Sequence, residues 1–322
     1  MQDVNNRRNV FFTSSVINSL YNLRSTDVIY NDNVSYSVSQ ATIGGTSYAI
    51  GLCSKNYHYH ILTSFEKELI DILLSWSEIS KDEDNSYIEK YTENEDEDYE
   101  NTIILFDDID WMRNRNKTNK KQRENDHILY KTIIEGLGNL LFIFDKLETI
   151  EDYTFTTYNL FNYKYVYKDD SVVGIEYNFG ELQISLLASN QKVGINYNPF
   201  RYSRNNHIKY QIFRCLLVYI YMNRKRKGKS SFKRSHNSIL KTVIYYSDTK
   251  FISYYDVIIS DNHINTYLNR YIKQVLEILE DLKQIDFIHD YVIVKDTSRR
   301  HLVTSAGYIE IENVSYKKRK YR

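Results

Sequence analysis

A chain of 322 residues is long enough for two domains, each with its own core. Its 42 Lys and Arg balance 42 Asp and Glu, so the net charge is zero and there is no global pull toward nucleic acid. Two widely separated cysteines exclude a disulfide framework and point to a reducing, cytoplasmic setting. No run approaches the roughly 18 apolar residues of a membrane span, and no signal-peptide core is present.

The zero total conceals a segregation of charge. Residues 80–100 are densely acidic (Asp82, Glu83, Asp84, Glu93, Glu95, Asp96, Glu97, Asp98, Glu100), whereas 113–123, 224–234 and 317–322 are strongly basic. Such blocks act on a partner locally even when the sum cancels.

Residues 1–60 read as a leader with a short helix over 16–23 and strand-like runs at 34–39, 48–52 and 57–62. Ser64 then caps a helix opening at Phe65, with Lys67 at its third position and Glu66 and Glu68 near the positive end of the helix dipole. Phe65, Leu69, Ile72 and Leu73 make its apolar stripe. The acidic run 80–100 offers nothing to bury and reads as a solvated loop. Residues 103–106 read as a strand and 107–112 as a short helix. After a basic turn, a longer helix starts at Asp126, apolar at Leu129, Ile133, Leu137 and Leu140, with His127, Tyr130, Lys131 and Asn139 outward. From 153 to 197 the pattern alternates as in strands (154–157, 163–167, 172–177, 192–197), a wing extended into a small sheet. The only proline, Pro199, marks a domain junction.

The order then repeats. Residues 208–222 form an apolar helix (Ile212, Cys215, Leu216, Tyr219, Ile220), 223–235 a basic connection, 238–246 a short helix and 260–285 a long one. Residues 287–294 and 307–312 read as wing strands around a tip at 296–300. The expected fold class is α+β: two winged helix-turn-helix domains in tandem, over 61–200 and 201–322, each with a small antiparallel β wing.

The long second helix carries the clearest chemical signal. Ile264, Leu268, Tyr271, Ile272, Val275, Leu279 and Leu282 share one side, and Asn262, Asn265, Thr266, Asn269, Arg270 and Lys273 fall on the other. Amides, hydroxyls and cations are the groups that read base edges and hold phosphates in a major groove. The outer face turns acidic farther along (Glu277, Glu280, Asp281), as suits a helix inserted by its N-terminal half. Backbone contacts are expected from Arg224, Lys225, Arg226, Lys227, Lys233 and Arg234 in the second module. In the first module Arg115, Lys120, Lys121 and Lys131 take that role, and Arg299 and Arg300 sit at the second wing tip. Double-stranded DNA is the expected partner.

Helix, basic turn, recognition helix and wing, repeated twice over 61–312, resemble the replication initiators of iteron-bearing plasmids. The stretch 182–224, a strand–helix segment leading through Pro199 into a helix that ends in a basic run, resembles the link into their second winged helix. The resemblance implies binding of duplex DNA at repeated origin sites of a plasmid or related mobile element, origin melting, and recruitment of a host initiator and helicase. It implies no catalysis by the chain itself; no cofactor and no metal are expected, and homodimerisation stays open. A transcriptional repressor would show the same faces, and the sequence does not separate the two.

A rival reading starts from Tyr57-His58-Tyr59-His60-Ile61-Leu62, where alternation on a strand places both imidazoles on one face, able to bind a divalent metal. This resembles the His-hydrophobic-His motif of rolling-circle nicking initiators, with Tyr87 three residues before Lys90 as nucleophile and Phe11-Phe12-Thr13 as a faint match to their first motif. Tyr87, however, lies in the acidic run, a poor place for a phosphate. No phosphate-binding loop is present, because Gly44-Gly45 and Gly136-Leu137-Gly138 lack its lysine and spacing, and Cys53 with His58 and His60 matches no zinc pattern.

Overall fold

The computed structural model describes residues 8–23, 27–31, 34–80, 101–114, 119–149, 155–189, 191–204, 207–224, 231–247, 250–260, 264–294 and 307–312. The acidic run, much of both basic connections, the second wing tip and the basic tail lie outside these residues. The chain divides into unit 1, Met1–Gly194, and unit 2, Ile195–Arg322. Both mix helices with antiparallel strands. Among the described residues, no helix is long and apolar enough to cross a membrane.

In chain order unit 1 holds β1 (Arg8–Phe12), α1 (Ser15–Tyr21), β2 (Val28–Asn31), β3 (Val34–Ile43), β4 (Thr46–Ser54), α2 (Ser64–Ser80), β5 (Thr102–Leu105), α3 (Phe106–Met112), α4 (Lys120–Gly138), β6 (Leu140–Lys146), β7 (Thr157–Asn159), β8 (Asn162–Lys168), β9 (Ser171–Asn178) and α5 (Gly180–Ser189); β10 (Lys192–Asn196) runs across the division. The leader is not a domain apart. Its hairpin, turned by Gly44 and Gly45 in the left-handed region where glycine is at ease, supplies the centre of a five-stranded sheet in the order β2–β3–β4–β6–β7. The expected strand over 57–62 is absent: Tyr57 has φ 57°, and only Tyr59 bridges back, to Cys53.

The cap of α2 is Thr63 rather than Ser64. The Glu66 N–H donates to Thr63 Oγ1 at 3.3 Å and the Thr63 N–H donates to Glu66 Oε2 at 2.6 Å, a reciprocal capping box. Helix α4 starts earlier than expected, at Lys120, because Asn119 accepts the Gln122 N–H at 2.9 Å. Part of the supposed basic turn is therefore the first turns of a helix. Its buried face runs through Asp126, Tyr130, Ile134 and Leu137, so Tyr130 points inward, not outward.

Unit 2 opens with a 3₁₀ turn at Pro199–Arg204. It continues through α6 (His207–Arg224), β11 (Ser231–Ser235), α7 (His236–Thr242), β12 (Ile244–Ser247), β13 (Lys250–Ser253), α8 (Tyr254–Ser260), α9 (Ile264–Gln284), β14 (Asp290–Val294) and β15 (Tyr308–Glu312). The expected helix over 238–246 ends at Thr242, where Val243 turns extended (ψ 123°) and the β-formers Ile244, Tyr245 and Tyr246 enter a hairpin. Likewise Lys233 and Arg234 lie on a strand rather than in a turn.

A common arrangement recurs in both units. In unit 1, α2, β5, α3, α4 and the β8–β9 hairpin follow one another, with sheet order β5–β9–β8. In unit 2, α6, β11, α7, α9 and the β14–β15 pair follow in the same sequence, with sheet order β11–β15–β14. Each time the strand after the first helix pairs with the second strand of the hairpin. Unit 1 inserts β6 and β7 into this scheme, and unit 2 inserts β12, β13 and α8.

Candidate nucleic-acid interface

Helix α9 is strongly two-faced. Leu268, Tyr271, Ile272, Val275, Ile278, Leu279 and Leu282 are buried, whereas Thr266, Asn269, Arg270 and Lys273 are exposed. Asn262 lies outside the described residues, and of Asn265 only the backbone is described.

The charges along α9 are treated unequally. Toward its C-terminal end, Glu277 pairs with Lys209 at 2.5 Å, Glu280 accepts from the Tyr291 hydroxyl at 3.0 Å, and Asp281 pairs with Arg201 at 3.1 Å while accepting from the Tyr197 and Tyr202 hydroxyls. Among the described residues, Arg270 and Lys273 have no ion-pair partner. The acidic half is thus neutralised from within unit 2, whereas Arg270 and Lys273 toward the N-terminal half meet no carboxylate among the described residues.

Strand β11 splits the fate of its two cations. Lys233 is exposed, with Nζ 4.5 Å above the Tyr308 ring and 3.5 Å from Glu310; its hydrogen bond to Tyr308 and the Glu310 charge raise its pKa. Arg234 instead stacks 4.5 Å over the Tyr219 ring, and its charge bears on buried Cys215 and Tyr271, so it belongs to packing as much as to surface. Arg224 ends α6 with only its backbone described, and Lys225, Arg226, Lys227, Arg299 and Arg300 lie outside the described residues.

On α4, Lys120 is 92% exposed and only loosely paired with Glu124, at 4.0 Å. Lys121 is exposed, and Lys131 is half-buried 5.9 Å from the centre of the Tyr165 ring. Arg115 lies outside the described residues.

No family model and no curated protein matches the chain. Solved structures that resemble it include two of one protein. The selenomethionine form of domains 2 and 3 of RctB is 12% identical, with TM-score 0.45, over 94% of this chain and 99% of that one. RctB domains 2–3, residues 155–483, is 10% identical, with TM-score 0.43, over 96% and 100%.

The basic cluster before α4 holds a residue of a different kind. Arg113 is 2% exposed; its Nε donates to Glu68 at 2.9 Å and its Nη1 to the Tyr130 hydroxyl at 3.1 Å, under the ring of Phe65. Burial alone would lower its pKa, but Glu68 and Tyr130 outweigh it and hold the guanidinium charged. The Tyr130 hydroxyl donates in turn to Asp110 at 2.7 Å, and the other oxygen of Asp110 lies 3.0 Å from His127 Nε2. Asp107, Asp110 and His127 bring ligand atoms within 4.8 Å of one another, the spacing of a cation site. Arg123 already fills that role, 2.5 Å from Asp107 and 3.7 Å from Asp110. The network ties α2, α3 and α4 together and orients α4.

Sequence reasoning missed the true outer face of α4. Lys121, Asn125, Ile128 and Thr132 are exposed there. The signal that reveals them is Asn119 with Gln122 three positions on, a capping pattern that starts the helix earlier. As for the histidine pair, His58 is exposed, while His60 Nε2 sits 3.1 Å from Glu66 Oε1 at the start of α2.

Proposed function

We propose that this chain is a sequence-specific duplex-DNA-binding protein that starts replication of a plasmid or similar element by binding repeated origin sites through two winged helices, without cleaving DNA itself. The observation that carries the reading is the recurring helix–strand–helix–helix–hairpin order, whose second long helix exposes Asn269 beside Arg270 and Lys273, cations without an ion-pair partner among the described residues. In such a module the N-terminal half of α9 enters the major groove. Asn269 is suited to bidentate bonds with an adenine edge, and Arg270 and Lys273 to phosphates. The paired carboxylates at the far end stay out of the groove, where like charge would repel.

Phosphate and base contacts leave different signatures. The double variant Arg270→Ala/Lys273→Ala is expected to weaken all duplexes alike and to flatten the dependence of log affinity on log salt by about two units. Asn269→Ala is expected to relax preference at one base position, at about 1–3 kcal/mol, with the salt slope unchanged. Titration of fluorescent duplexes at several salt concentrations measures both. Footprints over direct repeats beside the gene, and autonomous replication of a plasmid carrying only the gene and its flanking DNA, are the results expected of an initiator. Footprints without replication would assign a repressor instead. No binding to any duplex in dilute buffer would sink the reading, and metal-dependent cleavage abolished by His58→Ala would replace it with a nicking enzyme.

A further inference from the structure

We infer that α4 of unit 1 reads thymine-containing base pairs, with Ile128 as the contact for the thymine 5-methyl group and Asn125 as the amide for a neighbouring adenine. This rests on the duplex-binding reading above and names a specificity that the basic residues cannot supply, since phosphate contacts carry no sequence information.

The argument starts from an anomaly on the helix surface. Lys121, Asn125, Ile128 and Thr132 project within an arc of about 60°. Ile128 is 62% exposed in the middle of this stripe, where a helix otherwise places polar groups. Its β-branched side chain is stiff, so little rotamer freedom is lost on contact. The Thr132 hydroxyl donates to the Ile128 carbonyl at 3.1 Å, which spends its proton on the backbone and leaves a methyl beside the isoleucine. Among the described residues the side-chain amide of Asn125 has no hydrogen-bond partner, whereas that of Gln122 is engaged with Asp126 at 3.2 Å. The stripe therefore offers one free amide, an aliphatic lip and a lysine toward the helix N-terminus.

Charge favours the same occupant. Exposed Lys120 stands beside Lys121 at the start of the stripe. Of the acids on the helix exterior, Glu124 faces Lys120 at 4.0 Å and Glu135 accepts from the Tyr165 hydroxyl at 2.8 Å. A major groove with an A·T pair presents adenine N6 and N7 to an amide, and a methyl on the partner strand to an aliphatic side chain. The network through Arg113, Tyr130 and Asp110 holds the inner face of α4, so the stripe is presented in one orientation.

The test removes methyl groups alone. Duplexes selected by the full chain from a random library are resynthesised with deoxyuridine in place of thymine, and both forms are titrated with the wild type and with Ile128→Ala. The wild type is expected to prefer the thymine form by about fourfold per contacted methyl, the value of one buried carbon. Ile128→Ala is expected to lose that factor and keep the wild-type salt slope and unfolding midpoint, and Ile128→Val to retain most of it. If Ile128→Ala discriminates as the wild type does, or if the wild type binds both forms equally, the assignment of Ile128 is wrong and the duplex-binding reading stands. If the wild type selects no duplex at all, both fall together.

Discussion

Arg113→Met is expected to destabilise unit 1 by about 3–5 kcal/mol, the cost of leaving a buried charge without its counter-ion. Glu68, its partner, is as deeply buried as Arg113 itself, and the Tyr130 hydroxyl loses the same guanidinium. Both tryptophans of the chain, Trp76 and Trp111, lie in unit 1, so urea unfolding followed by tryptophan fluorescence reports this unit. The double variant Glu68→Met/Arg113→Met is expected to recover most of the loss, because a well-packed apolar pair of similar volume often replaces a buried ion pair at little cost. A loss under about 1 kcal/mol for the single variant would remove the network as the support of α4. Arg113 then could serve as a surface cation, as its place in the basic cluster suggests.

Acid is expected to loosen unit 2 through His236. This side chain is fully buried, its Nδ1 3.1 Å from the Tyr271 hydroxyl and its ring edge-on to that of Tyr271. Burial pushes its pKa down to about 4, with the Val294 backbone opposing the shift. In the unfolded chain the imidazole titrates near its ordinary value, about 6.5. Between these two pH values the unfolded state binds the extra proton, so stability is complete above about pH 6.5 and is lost as pH falls toward 4, by about 3 kcal/mol in all. His236→Gln, which cannot take up the proton, is expected to start less stable at neutral pH and to show a flatter decline. Thermal unfolding by circular dichroism from pH 7 to 4 measures this, and tryptophan fluorescence of the same samples separates out unit 1. A decline as steep in His236→Gln as in the wild type would place the acid sensitivity elsewhere.

The two units differ in how openly their faces were written in the chain. Helix α9 is legible because its apolar residues recur at helical spacing without interruption, so Asn269, Arg270 and Lys273 had only one side to occupy. Helix α4 misled because it buries polar groups. Asp126 and Tyr130 lie on its inner face, and periodicity that counts only aliphatic residues turns the helix to favour Leu129 and Ile133 instead. The basic clusters were equally uneven. Lys120 and Lys121 stand in solvent as their charge suggests, while Arg113, a few residues earlier, is interior, and Arg234 stacks on Tyr219. A charged side chain is buried only where partners from elsewhere in the chain meet it, and for Arg113 that partner is Glu68, distant in sequence.

The hairpin β12–β13 was readable in part: Val243-Ile244-Tyr245-Tyr246 and Phe251-Ile252 are β-branched and aromatic, the composition of strands. The place of the leader was not readable. Strand β4 pairs with β6, far along the chain, and nothing local in either segment names the other. By itself the sequence determined the order of helices and closing strands that recurs in both units, and the two faces of α9, since these follow from side-chain spacing within single elements; β6, β12, β13 and α8 escaped it. Only the tertiary structure decided which way α4 turns, which arginines are interior and where the first strands belong, because burying a charge or pairing a strand depends on a partner that adjacent residues do not specify.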